Sequence, residues 1–239
     1  MLTITHIASS SRGNCYLVSD GETKLLLEAG ISMKRILQGV SFGLSSISGC
    51  LVTHEHGDHS KSVRELLKYG VDCYMSIGTS AKVICINPEE GTKPVPNNLF
   101  PVFHKHPFTI GTWTVMPFDT VHDAAEPMGF LLGSGHYKLL FATDTAFLPY
   151  KFKGLTHIMI ECNYVPGILS ASNISRTEKR RITFNHFGLD NVVRFLEDID
   201  KDRLVEVHLL HLSDRNADEN LIKESIEEVV DAKVVVAER

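Results

Sequence analysis

The chain has 239 residues, of which 43% are hydrophobic and 22% charged. That is room for one α/β domain with a sizeable core and excludes a disordered or fibrous protein. A formal net charge of −5 excludes a surface that is nucleic-acid footprint throughout, while leaving room for a local basic patch. Residues 1–7 are too short and polar for an export signal, no apolar run reaches membrane-span length, and Cys15, Cys50, Cys73, Cys85 and Cys162 are scattered without a C-x-x-C pair, so a cytoplasmic protein with reduced thiols and no membrane partner is expected.

Residues 2–7 alternate and predict a strand, 9–14 a turn-rich loop, and 15–19 and 24–28 two more strands, the three forming a meander. Gly30 ends the third strand, and Ser32 is placed to cap a short helix through residue 38. An apolar run at 47–52 predicts a buried strand that opens into Thr53-His54-Glu55-His56-Gly57-Asp58-His59, followed by a helix over 60–69. A strand is expected at 71–75, a helix at 79–86 and a proline-bearing loop at 87–98. Residues 112–118 predict a strand ending at Asp119-Thr120-Val121-His122-Asp123. A hairpin is expected from 129–132 and 137–142 about Gly133-Ser134-Gly135, then a buried strand at 155–160. The stretch 163–181 is the least regular. Leu189, Val192, Val193, Leu196 and Ile199 repeat at a helical period, and a strand at 204–210, a helix at 218–230 and a strand at 233–236 close the chain. No linker or repeat divides this order, so a single domain over 1–239 is expected, built as two sheets face to face with helices outside.

The stretch from His54 to His59 reads H-x-H-x-D-H, three of the chain's 12 histidines within six positions. His54 and His56 leave a strand-like segment on one side and can grip one cation, and Asp58 and His59, half a turn on, can reach a second. Imidazole with carboxylate suits zinc and other first-row divalent metals. A dinuclear site needs further donors, each delivered by a strand end, and His122, Asp144 and His211 all stand where an apolar run turns polar. Singly, each has a plain alternative as a loop histidine, a turn former or a packed strand end. His186, immediately before a predicted helix, is placed to point into a cleft, with a helix-entry packing residue as the plain alternative. His104, His106 and His136 fall in polar turns and are expected at the surface. His6, His157 and His208 lie within strands and are expected to be packed or paired, and Cys162 to be a small core residue.

In this order the motifs resemble those of the metallo-β-lactamase-fold hydrolases over essentially the whole chain. The segments Ala8-Ser9-Ser10-Ser11-Arg12-Gly13-Asn14-Cys15, Val121-His122-Asp123-Ala124-Ala125-Glu126-Pro127-Met128-Gly129-Phe130 and Glu161-Cys162-Asn163-Tyr164, with Arg180-Arg181-Ile182 ahead of His186, resemble the YycJ/WalJ (VicX) branch. The resemblance implies an α/β fold, a four-layer αββα sandwich. It implies two divalent ions, zinc foremost with manganese or iron as alternatives. His54, His56 and His122 would hold the first, Asp58, His59 and His211 the second, and Asp144 would bridge. Asp58 and His186 would be catalytic, with His186 over the leaving group, and Asn14, Arg180 and His186 would touch substrate. Two departures stand out: Glu28-Ala29-Gly30 replaces the family's Asp-x-Gly, and Phe187-Gly188 replaces Leu-Ser after His186.

The implied chemistry is attack of a metal-bound hydroxide on a phosphodiester. Because the branch is associated with DNA exonuclease activity, nucleic acid is the expected substrate, DNA before RNA. Arg12, Arg176, Lys179, Arg180 and Arg181 offer a basic patch for flanking phosphates. The alternatives are a hydrolase of a small ester, lactone, thioester or cyclic phosphodiester, and a non-catalytic metal-binding regulatory protein.

Overall fold

Side-chain alternation decides the layering. In the computed structural model, which describes residues 1–84 and 95–238, strand β3 (Lys24–Leu27) turns Leu25 and Leu27 toward the opposite sheet and Leu26 toward helices, all three fully buried. A strand buried on both faces belongs in the middle of a layered fold. With β1 (Thr3–Ala8), β2 (Cys15–Ser19), β4 (Ile47–Leu51), β5 (Cys73–Met75) and β6 (Leu99–Pro101) it forms a six-stranded sheet in chain order. That sheet is antiparallel from β1 to β3 and parallel from β3 to β6.

The second sheet contains β7 (Phe108–Ile110), β8 (Trp113–Asp119), β9 (Met128–Ser134), β10 (Tyr137–Ala142), β11 (His157–Glu161), β12 (Glu206–Leu210) and β13 (Lys233–Val236), again in chain order across the sheet. It is antiparallel from β7 to β10 and parallel from β10 to β13. Each sheet is thus a meander that continues into parallel crossovers, whose helices must cover the outer faces.

Helices α1 (Met33–Gly39), α2 (Gly57–Ser60), α3 (Val63–Lys68) and α4 (Ile77–Val83) lie along the first half of the chain. Met33, Ile36, Val63 and Leu66 pack over Leu26, Cys50 and Cys73. Helices α5 (Pro166–Ala171), α6 (Arg176–Asn185), α7 (Leu189–Asp198) and α8 (Glu219–Glu227) belong to the second half. Val192, Leu196, Ile222 and Ile226 cover Leu140, Ile158, Ile160 and Val207, with Cys162 in the same cluster. Between the sheets, Tyr16, Leu25, Leu27 and Leu51 face Trp113, Phe130, Leu139 and Phe141. The result is the αββα sandwich. No helix among the described residues is long and apolar enough to cross a membrane.

Several expectations are corrected. The helix expected over 60–69 is two pieces, because Ser62 leaves the helical path: its hydroxyl donates to the Ile31 carbonyl at 2.5 Å and its amide to Ala29. Ser32 stands at the N-cap of α1 without a side-chain capping bond. The irregular stretch 163–181 holds α5 and most of α6. α6 has no buried residue and hence no apolar period, but Ser175 caps it by accepting from the Glu178 amide at 3.1 Å. Strands β6 and β7 are three-residue segments with no pattern long enough to read. Much of the 87–98 loop, the end of the 79–86 helix and Cys85 lie outside the described residues.

His6 and His208 are paired, Nε2 to Nδ1 at 2.9 Å, joining β1 of one sheet to β12 of the other, and Glu206 holds the far nitrogen of His208 at 3.1 Å. His104, expected at the surface, is half-buried, with Nδ1 2.9 Å from Asp119 Oδ1.

Candidate metal centre

One end of the sandwich gathers the exits of β3, β4, β8, β10, β11 and β12. Three of those exits turn sharply at non-glycine residues in the left-handed region: Glu28 (φ 66°) after β3, Asp144 (φ 34°) after β10 and His211 (φ 52°) after β12. Such conformations cost about 1–3 kcal/mol each and persist only where surrounding structure imposes them. The loop carrying His54 to His59 is clamped from below. The amides of Asn14 and Ala29 donate to the carbonyls of Asp58 and His59, each at 2.8 Å. Gly30 packs so closely that a Cβ there would lie 1.6 Å from the Asp58 carbonyl oxygen, so only glycine fits.

Three imidazoles converge first. His54 Nε2 and His122 Nε2 each lie 3.1 Å from His56 Nδ1. A tetrahedral ion with bonds of about 2.0–2.1 Å holds its nitrogen ligands about 3.3–3.4 Å apart, so the spacing fits one cation. The outer nitrogens are already oriented: His54 Nδ1 meets the Thr53 hydroxyl at 2.9 Å, and His122 Nδ1 donates to the Asn185 carbonyl at 2.9 Å. Burial, with His59 nearby, pushes His54 well below the ordinary histidine range, and burial lowers His122 also. Neutral rings are the form a metal takes.

A second group lies beside it. His59 Nε2 is 3.4 Å from Asp58 Oδ2, and His211 Nε2 is 3.7 Å from the same oxygen. His211 Nε2 is buried with no hydrogen-bond partner, an orphan that a cation satisfies. Asp144 spans the two groups, with Oδ1 3.4 Å from His59 Nε2 and Oδ2 3.6 Å from His122 Nε2. Burial opposes charge on Asp144, yet His211 and His59 hold its carboxyl well below the usual range. The donor chemistry, the spacing and the orphan nitrogen all fit two divalent ions.

Glu28 faces His59 Nδ1 at 3.6 Å, and the two facing atoms have no other partner. The longer acid therefore stands on the back of a motif histidine, where it can brace the ring.

Glu161 is the residue sequence reasoning missed as a site group. Fully buried at the end of β11, it sets Oε1 2.6 Å from His186 Nδ1 and 2.9 Å from His211 Nδ1. Oε2 accepts from the amides of Phe187 (3.0 Å) and Thr145 (3.2 Å). Burial disfavours a charged His186, but Glu161, then Asp144, outweigh it and raise the imidazole above its ordinary value. The signal was there: Glu161 ends an apolar run just as Asp144 and His211 do.

Two of the expected substrate contacts do not line the cleft. Asn14 is fully buried, its amide nitrogen bonded to the Ser10 carbonyl at 3.1 Å and near the Asp58 carbonyl at 3.3 Å, so it supports the metal loop from beneath. Arg180 is not among the cleft-lining residues, and its guanidinium lies 5.3 Å from the centroid of the Phe184 ring. Successive helical residues diverge by about 100°, and it is Arg181 that lines the cleft, with Asp58, His122, Asp144 and His186. Arg12 is exposed and paired with Asp214 at 2.9 Å.

Residues 23–209 match the family model of the beta-lactamase superfamily domain, and the chain belongs to that superfamily of metallo-β-lactamase-fold hydrolases. It is similar to the exodeoxyribonuclease YycJ of Bacillus anthracis, 29% identical over 238 residues, 95% of this chain and 88% of the relative. The exodeoxyribonuclease WalJ of Streptococcus pneumoniae is 27% identical over 234 residues, 88% of this chain and 81% of the relative. Among solved structures, zinc-bound PqqB from Methylobacterium extorquens shares the fold with a TM-score of 0.72 at 18% identity, over 99% of this chain and 97% of that one.

Proposed function

We propose that the chain is a dinuclear metal-dependent phosphodiesterase that degrades nucleic acid, DNA in preference to RNA, in the manner of an exodeoxyribonuclease. The observation that carries this reading is the Glu161–His186 pair, Oε1 to Nδ1 at 2.6 Å, on the rim of the cleft that also opens onto Asp58, His122 and Asp144. His54, His56 and His122 would hold one ion, Asp58, His59 and His211 the other, and Asp144 both. Zinc, present in the PqqB structure, is the first candidate. The ions would supply Lewis acidity and a nucleophile at neutral pH.

The protein's own groups divide the remaining work. Glu161 accepts the Nδ1 proton of His186 and so turns Nε2, with its proton, toward the cleft. From there Nε2 can donate to the departing oxygen, a role that phosphodiesters with alkoxide leaving groups require. Asp58 can orient the attacking water through its second oxygen. Arg181 supplies a fixed positive charge for the scissile or neighbouring phosphate. The relatives' names add support for DNA as substrate.

The test is metal analysis of the purified protein, then Mn²⁺- or Zn²⁺-dependent release of nucleotides from 5′- and 3′-labelled DNA, with Asp144→Asn as control. Two ions per chain and release abolished in the variant are expected. Turnover of small esters with indifference to DNA would overturn the nuclease reading.

A further inference from the structure

We infer that the outward row of α6, Arg180 and Phe184, is a stacking platform for an unpaired base of a nucleic-acid strand whose phosphate lies in the cleft; this rests on the phosphodiesterase reading above. α6 is a helix with three distinct rows. Lys179 anchors it to the body, its Nζ donating to the Ser170 carbonyl at 2.6 Å. Arg181 and Asn185 face the cleft, and the Asn185 carbonyl holds His122. The third row, Arg180 and Phe184 one turn apart, is exposed. Phe184 is 60% exposed, although a buried orientation would remove its apolar ring from water. The Arg180 guanidinium lies over its ring, 5.3 Å from the centroid.

The cleft explains why such a ring is placed there. Its volume is about 330 Å³, near the lower limit of small-ligand sites. A reacting phosphate and its nearest neighbour fill it, and the rest of a polymer must cross the rim. On the His186 side that rim is α6, where Arg176, Lys179, Arg180 and Arg181 stand against the single acid Glu178, on a chain whose net charge is −5. Local positive charge fits a polyanion, and an exposed aromatic beside an arginine fits a base face, the combination that single-strand sites use. Within a duplex the base faces are covered by their neighbours, so the platform selects an unpaired end.

The experiment compares wild type, Phe184→Ala and Phe184→Trp on two substrates with saturating Mn²⁺: a labelled single-stranded DNA oligonucleotide, and bis(p-nitrophenyl) phosphate, which is too small to span the cleft and the platform. Binding of the same oligonucleotide without metal is followed by fluorescence anisotropy. Stacking of one base on an aromatic predicts that Phe184→Ala raises the oligonucleotide KM and the metal-free Kd by about 5- to 150-fold. Turnover of the small diester stays within about 2-fold of wild type, and Trp restores binding. Unchanged KM and Kd in Phe184→Ala, with wild type degrading the oligonucleotide, overturns the platform and leaves the nuclease intact. An equal loss on both substrates overturns it as well, because displacement of α6 then accounts for the effect. A wild type that hydrolyses the small diester but neither binds nor cleaves the oligonucleotide overturns the nuclease reading and the platform with it.

Discussion

Replacing Glu161 with glutamine removes one charge and almost no volume. The carboxylate serves four partners: two backbone amides on Oε2, and the Nδ1 atoms of His186 and His211 on Oε1. A glutamine has one acceptor oxygen and one NH₂ donor. The amides of Thr145 and Phe187 claim the oxygen, so the NH₂ falls at 2.6–2.9 Å from both imidazoles and donates to them. A neutral His186 then carries its proton on Nε2 and is no longer raised above its ordinary value by the carboxylate. His211 Nδ1 loses one of its two carboxylate partners and keeps Asp144 Oδ1 at 2.8 Å. Loss of such a supporting partner lowers metal affinity about 10–100-fold, which excess metal restores. Loss of a general acid lowers turnover about 10²–10⁴-fold, and only where the leaving group needs a proton. With metal saturating, kcat for an oligonucleotide should fall by that factor, while kcat for bis(p-nitrophenyl) phosphate, whose phenolate departs unaided, falls less than about 10-fold. Equal loss on both substrates would refute the role of His186 as acid.

Ion binding should stabilise the fold by about 4 kcal/mol at a thousandfold excess over Kd, read as a rise in Tm that a chelator reverses; an unchanged Tm counts against the site. Arg181→Ala should weaken DNA binding and reduce the slope of log K against log salt by about 0.7–0.9, the share of one phosphate; an unaltered slope places Arg181 off the backbone. Gly30→Ala, whose methyl would meet the Asp58 carbonyl at 1.6 Å, should lower stability by about 4–5 kcal/mol or more and cost metal content, and a well-folded, metal-loaded variant would contradict the clamp. His6 is held down to about 4 by burial and by His208, against Glu206. Its folded value lies below its ordinary one, so its contribution to stability is full above pH 6.5 and is lost as pH falls toward 4. In urea unfolding at pH 7.5 and 5, His6→Gln should lose less stability on acidification than wild type, and parallel losses would refute that linkage.

What could be read in the sequence depended on distance along the chain. His54, His56, Asp58 and His59 lie within one loop, so their spacing alone carries the geometry. His122, Asp144 and His211 are far apart, yet each ends an apolar run, and a buried strand that turns polar has to deliver something to the end of the sandwich. Glu161 obeys the same rule, although the residue after it, Cys162, is again buried among apolar side chains. The choice between Arg180 and Arg181 was not legible at all. It depends on the phase of α6, and a helix that buries nothing leaves no apolar period from which to read a phase. The layering was legible because the element order, a strand meander followed by strands alternating with helices and then the same again, can bury its apolar faces as two stacked sheets with helices outside.

The left-handed residues Glu28, Asp144 and His211 carry one further consequence. Each sits where a strand fixed in its sheet hands over to a loop bonded to its neighbours, so the frame of the sandwich decides where these three side chains stand. A substitution that relaxed one of these turns would therefore shift the site without touching any side chain in it.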